Sequence, residues 1–206
     1  MLAKFLAREL GNPSTIMGRL YLAPMWNKRN AALNDTALEH LELERTDRVL
    51  EVGFGGGYLM SRALEVVTEG SVTGIDVSPA MVAYCTKRLR RYVASGRLVL
   101  RQGQAESLPF PDKHFSKVCT VNSIFYWTDA GKAFAEQRRV LEDGGHLVLC
   151  MTCKEHLENK GFSKHGLHLY QAPEVEILLK DVGFRDIRIS QLKDPMREYL
   201  CVTAVK

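Results

Sequence analysis

From residue 47 onward, short β-branched runs alternate with stretches whose apolar residues recur at helical spacing. Val49–Val52 and Val72–Ile75 read as the first two strands, with Leu59, Ala63, Leu64 and Val67 marking a helix between them. In "DVSPAMV", Ser78 is placed to cap a helix and Pro79 to be its first residue. Met81, Val82, Cys85, Leu89 and Val93 give that helix one apolar face, and Lys87, Arg88, Arg90 and Arg91 read as its solvated side. Leu98–Leu100, Val118–Val121 and Leu147–Leu149 supply three more strands, with a helix from Asp129 to Leu141 before the last. Pro173 to Val182 predicts a further helix, closed by Gly183. Arg185–Leu192 and Tyr199–Val205 are strands joined by "KDP", a connection too short for a parallel crossover, so they must pair antiparallel. The pattern predicts an α/β fold: a doubly wound, seven-stranded sheet, mostly parallel, with a C-terminal antiparallel hairpin strand.

The first 45 residues follow another pattern. "MLAKFLAREL" predicts a short amphipathic helix and "NKRNAALNDTALEHLEL" a longer one leading into the first strand. Between them, Met17, Leu20, Tyr21, Met25 and Trp26 need an apolar partner, either the core or a ligand. Residues 1–45 are therefore read as an N-terminal helical lid or cap, and 46–206 as the main domain. Composition narrows the class. The chain has 206 residues, 46% of them hydrophobic and 25% charged, as expected of one ordinary globular domain. A net charge of +4 is too weak to argue for a nucleic-acid partner, and none is expected. Five cysteines without a recognisable signal peptide predict reduced thiols and a cytoplasmic location. No stretch approaches the roughly 20 apolar residues of a membrane span.

The chemistry starts at "VLEVGFGGGYL", residues 49 to 59, where glycines crowd directly after a strand. Such crowding lets backbone approach a ligand closely. The dinucleotide spacing G-x-G-x-x-G fails in both registers, because Tyr58 or Met60 stands where its third glycine belongs. What remains is Glu51 followed by Gly53, Gly55 and Gly57. Asp76 ends the second strand, where a carboxylate can accept from both ribose hydroxyls of an adenosine. No Gly-Lys-Ser/Thr run or pyrophosphate feature accompanies it, so the ligand chemistry is that of an adenosine without a phosphate chain.

Five ordered segments sharpen this reading: "VLEVGFGGGYL", "VTGIDVSPAMV", "GQAESLPFPDKHFSKV", "RRVLEDGGHLVL" and "LLKDVGF". Together, over about residues 47 to 190, they resemble the class I S-adenosylmethionine (SAM)-dependent methyltransferases, in the branch of the ubiquinone/menaquinone-biosynthesis enzymes and related small-molecule methyltransferases. The resemblance implies a Rossmann-like fold, SAM as methyl donor and a small, apolar or aromatic acceptor whose reacting atom stays open. It implies that Gly53 and Gly55 admit the methionine part of SAM, that Glu51 organises the loop partly through water, and that Asp76 holds the ribose. Val77, Gln104 and Ala105 would meet the adenine, and Asn122 would lie beside the cofactor. Gln104 stands where the family usually has Asp, which implies retained binding with some loss of affinity. "RVLEDGG" lacks the usual Lys-Pro, a turn change without chemical consequence.

For the acceptor side, the residues expected to touch substrate are Tyr126, His165 and His168, the histidines from the polar segment "CKEHLENKGFSKHGLHLYQ". His114 and His146 read as structural. Tyr21, Met25, Trp26, Phe125 and Trp127 fit a pocket for an apolar acceptor. Cys150 and Cys153 form a C-x-x-C without the strand-to-helix context of a redox pair or the second pair of a zinc site, so no metal is expected. The N-terminal segment fits three roles: a lid, core packing, or a peripheral contact with a membrane surface. Two other functions also fit these residues, a SAM-binding partner domain without catalysis and a phospholipid N-methyltransferase.

Overall fold

The computed structural model describes residues 23–161 and 167–206. Helices α1 (Ala23–Arg29) and α2 (Ala31–Leu41) lead into strand β1 (Arg48–Val52), helix α3 (Tyr58–Val66) and strand β2 (Ser71–Asp76). Helices α4 (Pro79–Arg88) and α5 (Arg90–Ala94) precede β3 (Leu98–Gln102) and β4 (Phe115–Val121). Then come α6 (Ala130–Val140), β5 (Leu141–Thr152), α7 (Lys154–Asn159), α8 (Ala172–Asp181), β6 (Arg185–Lys193) and β7 (Glu198–Val205). The strands form one sheet in the order β3-β2-β1-β4-β5-β7-β6. The β1–β2, β1–β4, β2–β3 and β4–β5 pairs are parallel, whereas β7 runs antiparallel to both β5 and β6. The expected seven-stranded, mostly parallel sheet with an antiparallel C-terminal strand is the observed one.

Successive side chains of a strand point to opposite faces, and helices cover both faces here. Leu50 faces a core with Phe134 of α6 and Val175 and Leu179 of α8. Its neighbour Val49 faces a second core with Leu33, Ala37 and Leu41 of α2, Leu59 and Ala63 of α3, and Met81 of α4. Burial on both sides explains why β1 and β2 read as nearly unbroken apolar runs. It also shows that α2, in the 1–45 segment, packs its apolar stripe onto the sheet. Residues 1–22, including the "MLAKFLAREL" helix and Tyr21, lie outside the described residues.

Local signals set several boundaries. Ser78 Oγ accepts from Met81 N, and Pro79 opens α4 as expected. At the end of α8, Gly183 N donates to Lys180 O and Phe184 N to Leu179 O, the paired bonds of a Schellman motif. Gly183 has φ +92°, which explains the glycine.

Three elements differ from the pattern reading. The apolar stripe from Met81 to Val93 is split, because the chain turns at Leu89 (φ −105°, ψ 23°), which caps α4 and is buried. The "NKRNAALNDTALEHLEL" helix is broken at Asn30, the N-cap of α2. Strand β5 is much longer than Leu147–Leu149 and starts directly after α6, with a register irregularity against β4 between Phe115 and Lys117.

Candidate functional site

The carboxyl ends of β1, β2, β4 and β5 open into a cavity of about 640 Å³, the position at which open α/β sheets bind ligands. Among the residues lining it are Glu51, Gly53, Gly55, Asp76, Val77, Gln104, Ala105 and Asn122. All eight residues expected at the cofactor are thus brought to one wall.

The glycine loop between β1 and α3 is held from several sides. Gly53 has φ +77° and donates to Ile75 O at 2.8 Å. A side chain there would put its Cβ 2.4 Å from Ser123 Cβ, so sterics and backbone both demand glycine. Gly55 N donates to Asp76 Oδ2 at 2.9 Å, and Ser78 N donates to Asp76 Oδ1 at 2.9 Å. Burial pushes the Asp76 carboxyl up, and these two N–H groups pull it back. Asn27 Nδ2 and Arg88 Nη1 both donate to Gly56 O at 3.0 Å, and Arg88 also reaches Gly57 O at 3.2 Å. Arg88 is exposed, as read from the sequence, and in addition braces the loop through these carbonyls.

Glu51 is fully enclosed beneath the loop, and its Oε2 accepts from Met60 N at 3.1 Å, in the first turn of α3. Desolvation outweighs that bond, and with the nearby Asp76 charge it pushes Glu51 up to about 8. On the neighbouring wall, Val77 is 39% exposed and Ala105 is buried. Glu106 Oε1 fastens the segment after them by accepting from Thr128 N and Thr128 Oγ1. Asn122 adopts φ +54° at the end of β4, with Oδ1 accepting from Thr152 N at 2.8 Å and Nδ2 donating to Asn30 Oδ1 at 3.1 Å.

The opposite wall departs further from sequence expectation. Tyr126 lines the cavity, and desolvation pushes its phenol up although the residue as a whole is 38% exposed. Phe125 and Trp127 reach the cavity but are largely buried, and the Trp127 ring packs edge-on against Phe134 at 5.4 Å. Met25 also lines the cavity. His165 lies outside the described residues, and the exposed His168, whose backbone N donates to Phe125 O, is not on the cavity wall.

The histidine that does line the cavity is His156, on α7. Burial, Arg197, Lys160 and Arg29 push it below its ordinary value against the opposing pull of Asp194. Arg197, in the β6–β7 turn, donates to Asn30 Oδ1 at 3.2 Å and Thr152 Oγ1 at 3.3 Å, and to Arg29 O. His146 pairs with Val205 inside the sheet, and His114 packs edge-on against Phe115 at 4.8 Å, as structural residues do. Cys150 lies opposite Cys201 across the β5–β7 ladder, while Cys153 is the N-cap of α7; all five thiols are buried and free.

A strand order of this kind around a glycine loop and a ribose-type carboxylate defines a nucleoside-binding α/β enzyme fold. Comparison with known proteins gives the family. The methyltransferase-domain family matches residues 50–149. The uncharacterized methyltransferase YdaC of Bacillus subtilis (strain 168) is 32% identical over 182 residues, 86% of this chain and 93% of that protein. The ubiquinone/menaquinone biosynthesis C-methyltransferase UbiE of Cronobacter sakazakii is 31% identical over 145 residues, 68% of this chain and 57% of that longer enzyme. A SAM-dependent methyltransferase from Aquifex aeolicus shares the fold, with a TM-score of 0.69, 20% identity and coverage of 98% of this chain and 97% of that one. The chain belongs to the SAM-dependent methyltransferases. Among the described residues, no helix is long and apolar enough to cross a membrane.

Proposed function

We propose that this chain binds SAM along the glycine-loop wall and transfers its methyl group to a small acceptor with apolar or aromatic surface. The observation that carries the reading is Asp76. Each of its carboxylate oxygens accepts one backbone N–H and keeps acceptor capacity beside the cavity, the acceptor set that two ribose hydroxyls require. The absence of a side chain at Gly53 and Gly55 lets the backbone come close to the methionine part. Val77 and Ala105 offer apolar contact to an adenine, and Gln104 offers it a carbonyl acceptor. Glu51 is a latent negative charge that suits the cationic end of the donor.

When bound, SAM supplies a methyl group already activated by its sulfonium. The protein's own contribution is to align the acceptor and exclude water. Tyr126 offers a phenol hydroxyl on the cavity wall, and Asn122 is bonded between Asn30 and Thr152. His156, which lines the cavity and which burial and three cations push below its ordinary value, joins Tyr126 as a candidate acceptor contact. Met25 and Asn27 of α1 reach the cavity wall, which supports a covering role for the N-terminal segment.

Calorimetric titration with SAM and with S-adenosylhomocysteine tests the binding half, and absence of heat with both overturns the reading. Transfer of label from methyl-labelled SAM into a metabolite extract tests catalysis. Tight cofactor binding with no product in any extract would instead favour a non-catalytic SAM-binding domain.

A further inference from the structure

Part of the cavity lining carries positive charge that no carboxylate among the described lining residues pairs with. Three segments distant in sequence deliver it: Arg29 at the end of α1, Lys160 at the C-cap of α7, and Arg197 in the β6–β7 turn. All three border the cavity, and all three act on His156 between them. The nearby carboxylate, Asp194, does not line the cavity. Its Oδ1 accepts from Met196 N at 2.6 Å and Arg197 N at 2.8 Å, and its Oδ2 stands 3.8 Å from Arg197 Nε. Asp194 is thus spent on folding the turn and on part of one guanidinium. Among the described residues, Arg29 and Lys160 have no ion pair.

Like charges gathered around one cavity repel each other, and an anion received among them relieves that repulsion. Arg197 cannot swing away, because Asn30 and Thr152 hold it. We infer that the acceptor carries an anionic group, a phosphate or a carboxylate, received by Arg29, Lys160 and Arg197 while its apolar part lies toward Phe125 and Tyr126. The inference rests on the proposed reading of this cavity as the cofactor and acceptor site. A fixed guanidinium with two mobile cations suits a group of three or fewer anionic oxygens.

The test uses a matched pair of probes, phenyl phosphate and phenol, titrated into the protein saturated with S-adenosylhomocysteine. Phenyl phosphate is expected to bind at least tenfold tighter than phenol. The preference should fall at least threefold in the double variant Arg29→Gln/Lys160→Gln, whose altered side chains are exposed, and should shrink in high salt. A thermal midpoint within a degree or two of the wild type shows that the double variant is folded.

A second arm separates sources of the anion. Binding to phosphatidylglycerol vesicles, but not phosphatidylcholine vesicles, that is lost in the double variant assigns the anion to a lipid headgroup. Discrimination of the soluble pair alone assigns it to a free small molecule. Equal binding of the two probes together with no vesicle preference, or a preference untouched by both substitutions, overturns the inference. Failure of S-adenosylhomocysteine to bind overturns the parent reading instead, and the probe pair titrated into the protein alone then still reads the cationic wall.

Discussion

The two ends of the cavity are built on opposite electrical plans. At the glycine-loop end, two carboxylates, Glu51 and Asp76, are buried and fixed by backbone N–H groups. In a second group of lining residues, Arg29, Lys160 and Arg197 act on His156 and, with burial, push it below its ordinary value. The acidic end is rigid because its partners are main-chain atoms of the sheet and of the helix starts. At the basic group, the side-chain bonds among the described residues are those of Arg197. On the proposed reading, the fixed carboxylates would serve the methyl donor and the cations the acceptor.

The strongest way to break the contrast is to titrate it. Glu51 is raised from the ordinary carboxylate value of 4.5 to about 8, so its protonated form is favoured in the folded, ligand-free protein. The resulting stability is fully present below about pH 4.5 and is lost as pH rises through about 8. At about 1.4 kcal/mol per pK unit, the loss reaches at most about 5 kcal/mol. Denaturant midpoints of the ligand-free protein from pH 5 to 9 should fall over that window, and Glu51→Gln should flatten the fall. A cationic donor favours ionised Glu51, so wild-type SAM affinity should rise over the same window with proton release. Identical pH profiles for wild type and Glu51→Gln would remove Glu51 from the acidic end.

Next in size is the steric demand of the loop. Gly53→Ala would set a Cβ against Ser123 in a left-handed backbone. Strain and overpacking together should cost about 2–4 kcal/mol, read as a lowered urea midpoint with unchanged m-value. The same change at Gly144 (φ +78°) meets no atom within 4 Å, so it should cost only the backbone part, about 1 kcal/mol. Asp76→Ala should weaken SAM binding by about 1–3 kcal/mol, the scale of charged hydrogen bonds lost, and unchanged affinity in the folded variant would withdraw the ribose assignment.

How much of each end is legible in the sequence follows from the same difference. The donor end is written locally: Glu51, Gly53 and Gly55 lie within five residues, and Asp76 closes the next strand. The sheet is legible too, because strands buried on both faces and a short β6–β7 connection leave little choice of topology. The acceptor end is assembled across the chain. Arg197 sits in a turn whose sequence announces only a turn, yet it reaches Thr152, 45 residues away, and Asn30, 167 residues away. His156 is one of several histidines in a polar segment, and only the packing of α7 shows that it faces the cavity. The bracing role of the exposed Arg88 is not legible for the same reason, since its carbonyl partners lie in a loop 31 and 32 residues earlier. Side chains whose partners are distant in sequence carry no local signature.

The smallest expected effect lies at Gln104, where this chain departs from the usual family residue. Gln104 borders the cavity beside Ala105, and its segment is pinned by the bridge to Ser107. A neutral carbonyl accepts from an adenine amino group more weakly than a carboxylate does. Gln104→Asp should therefore tighten SAM by roughly 0.5–1.5 kcal/mol, the net worth of an improved hydrogen bond. The gain should be largest in low salt, and an adenine lacking the exocyclic amino group should erase it. A gain that persists with that analogue would place the new carboxylate against some other group, and the adenine would then belong elsewhere on this wall. A loss of affinity would mean that a third carboxylate near Glu51 and Asp76 already overloads the acidic end, which would make the electrical contrast between the two ends the quantity that limits cofactor binding.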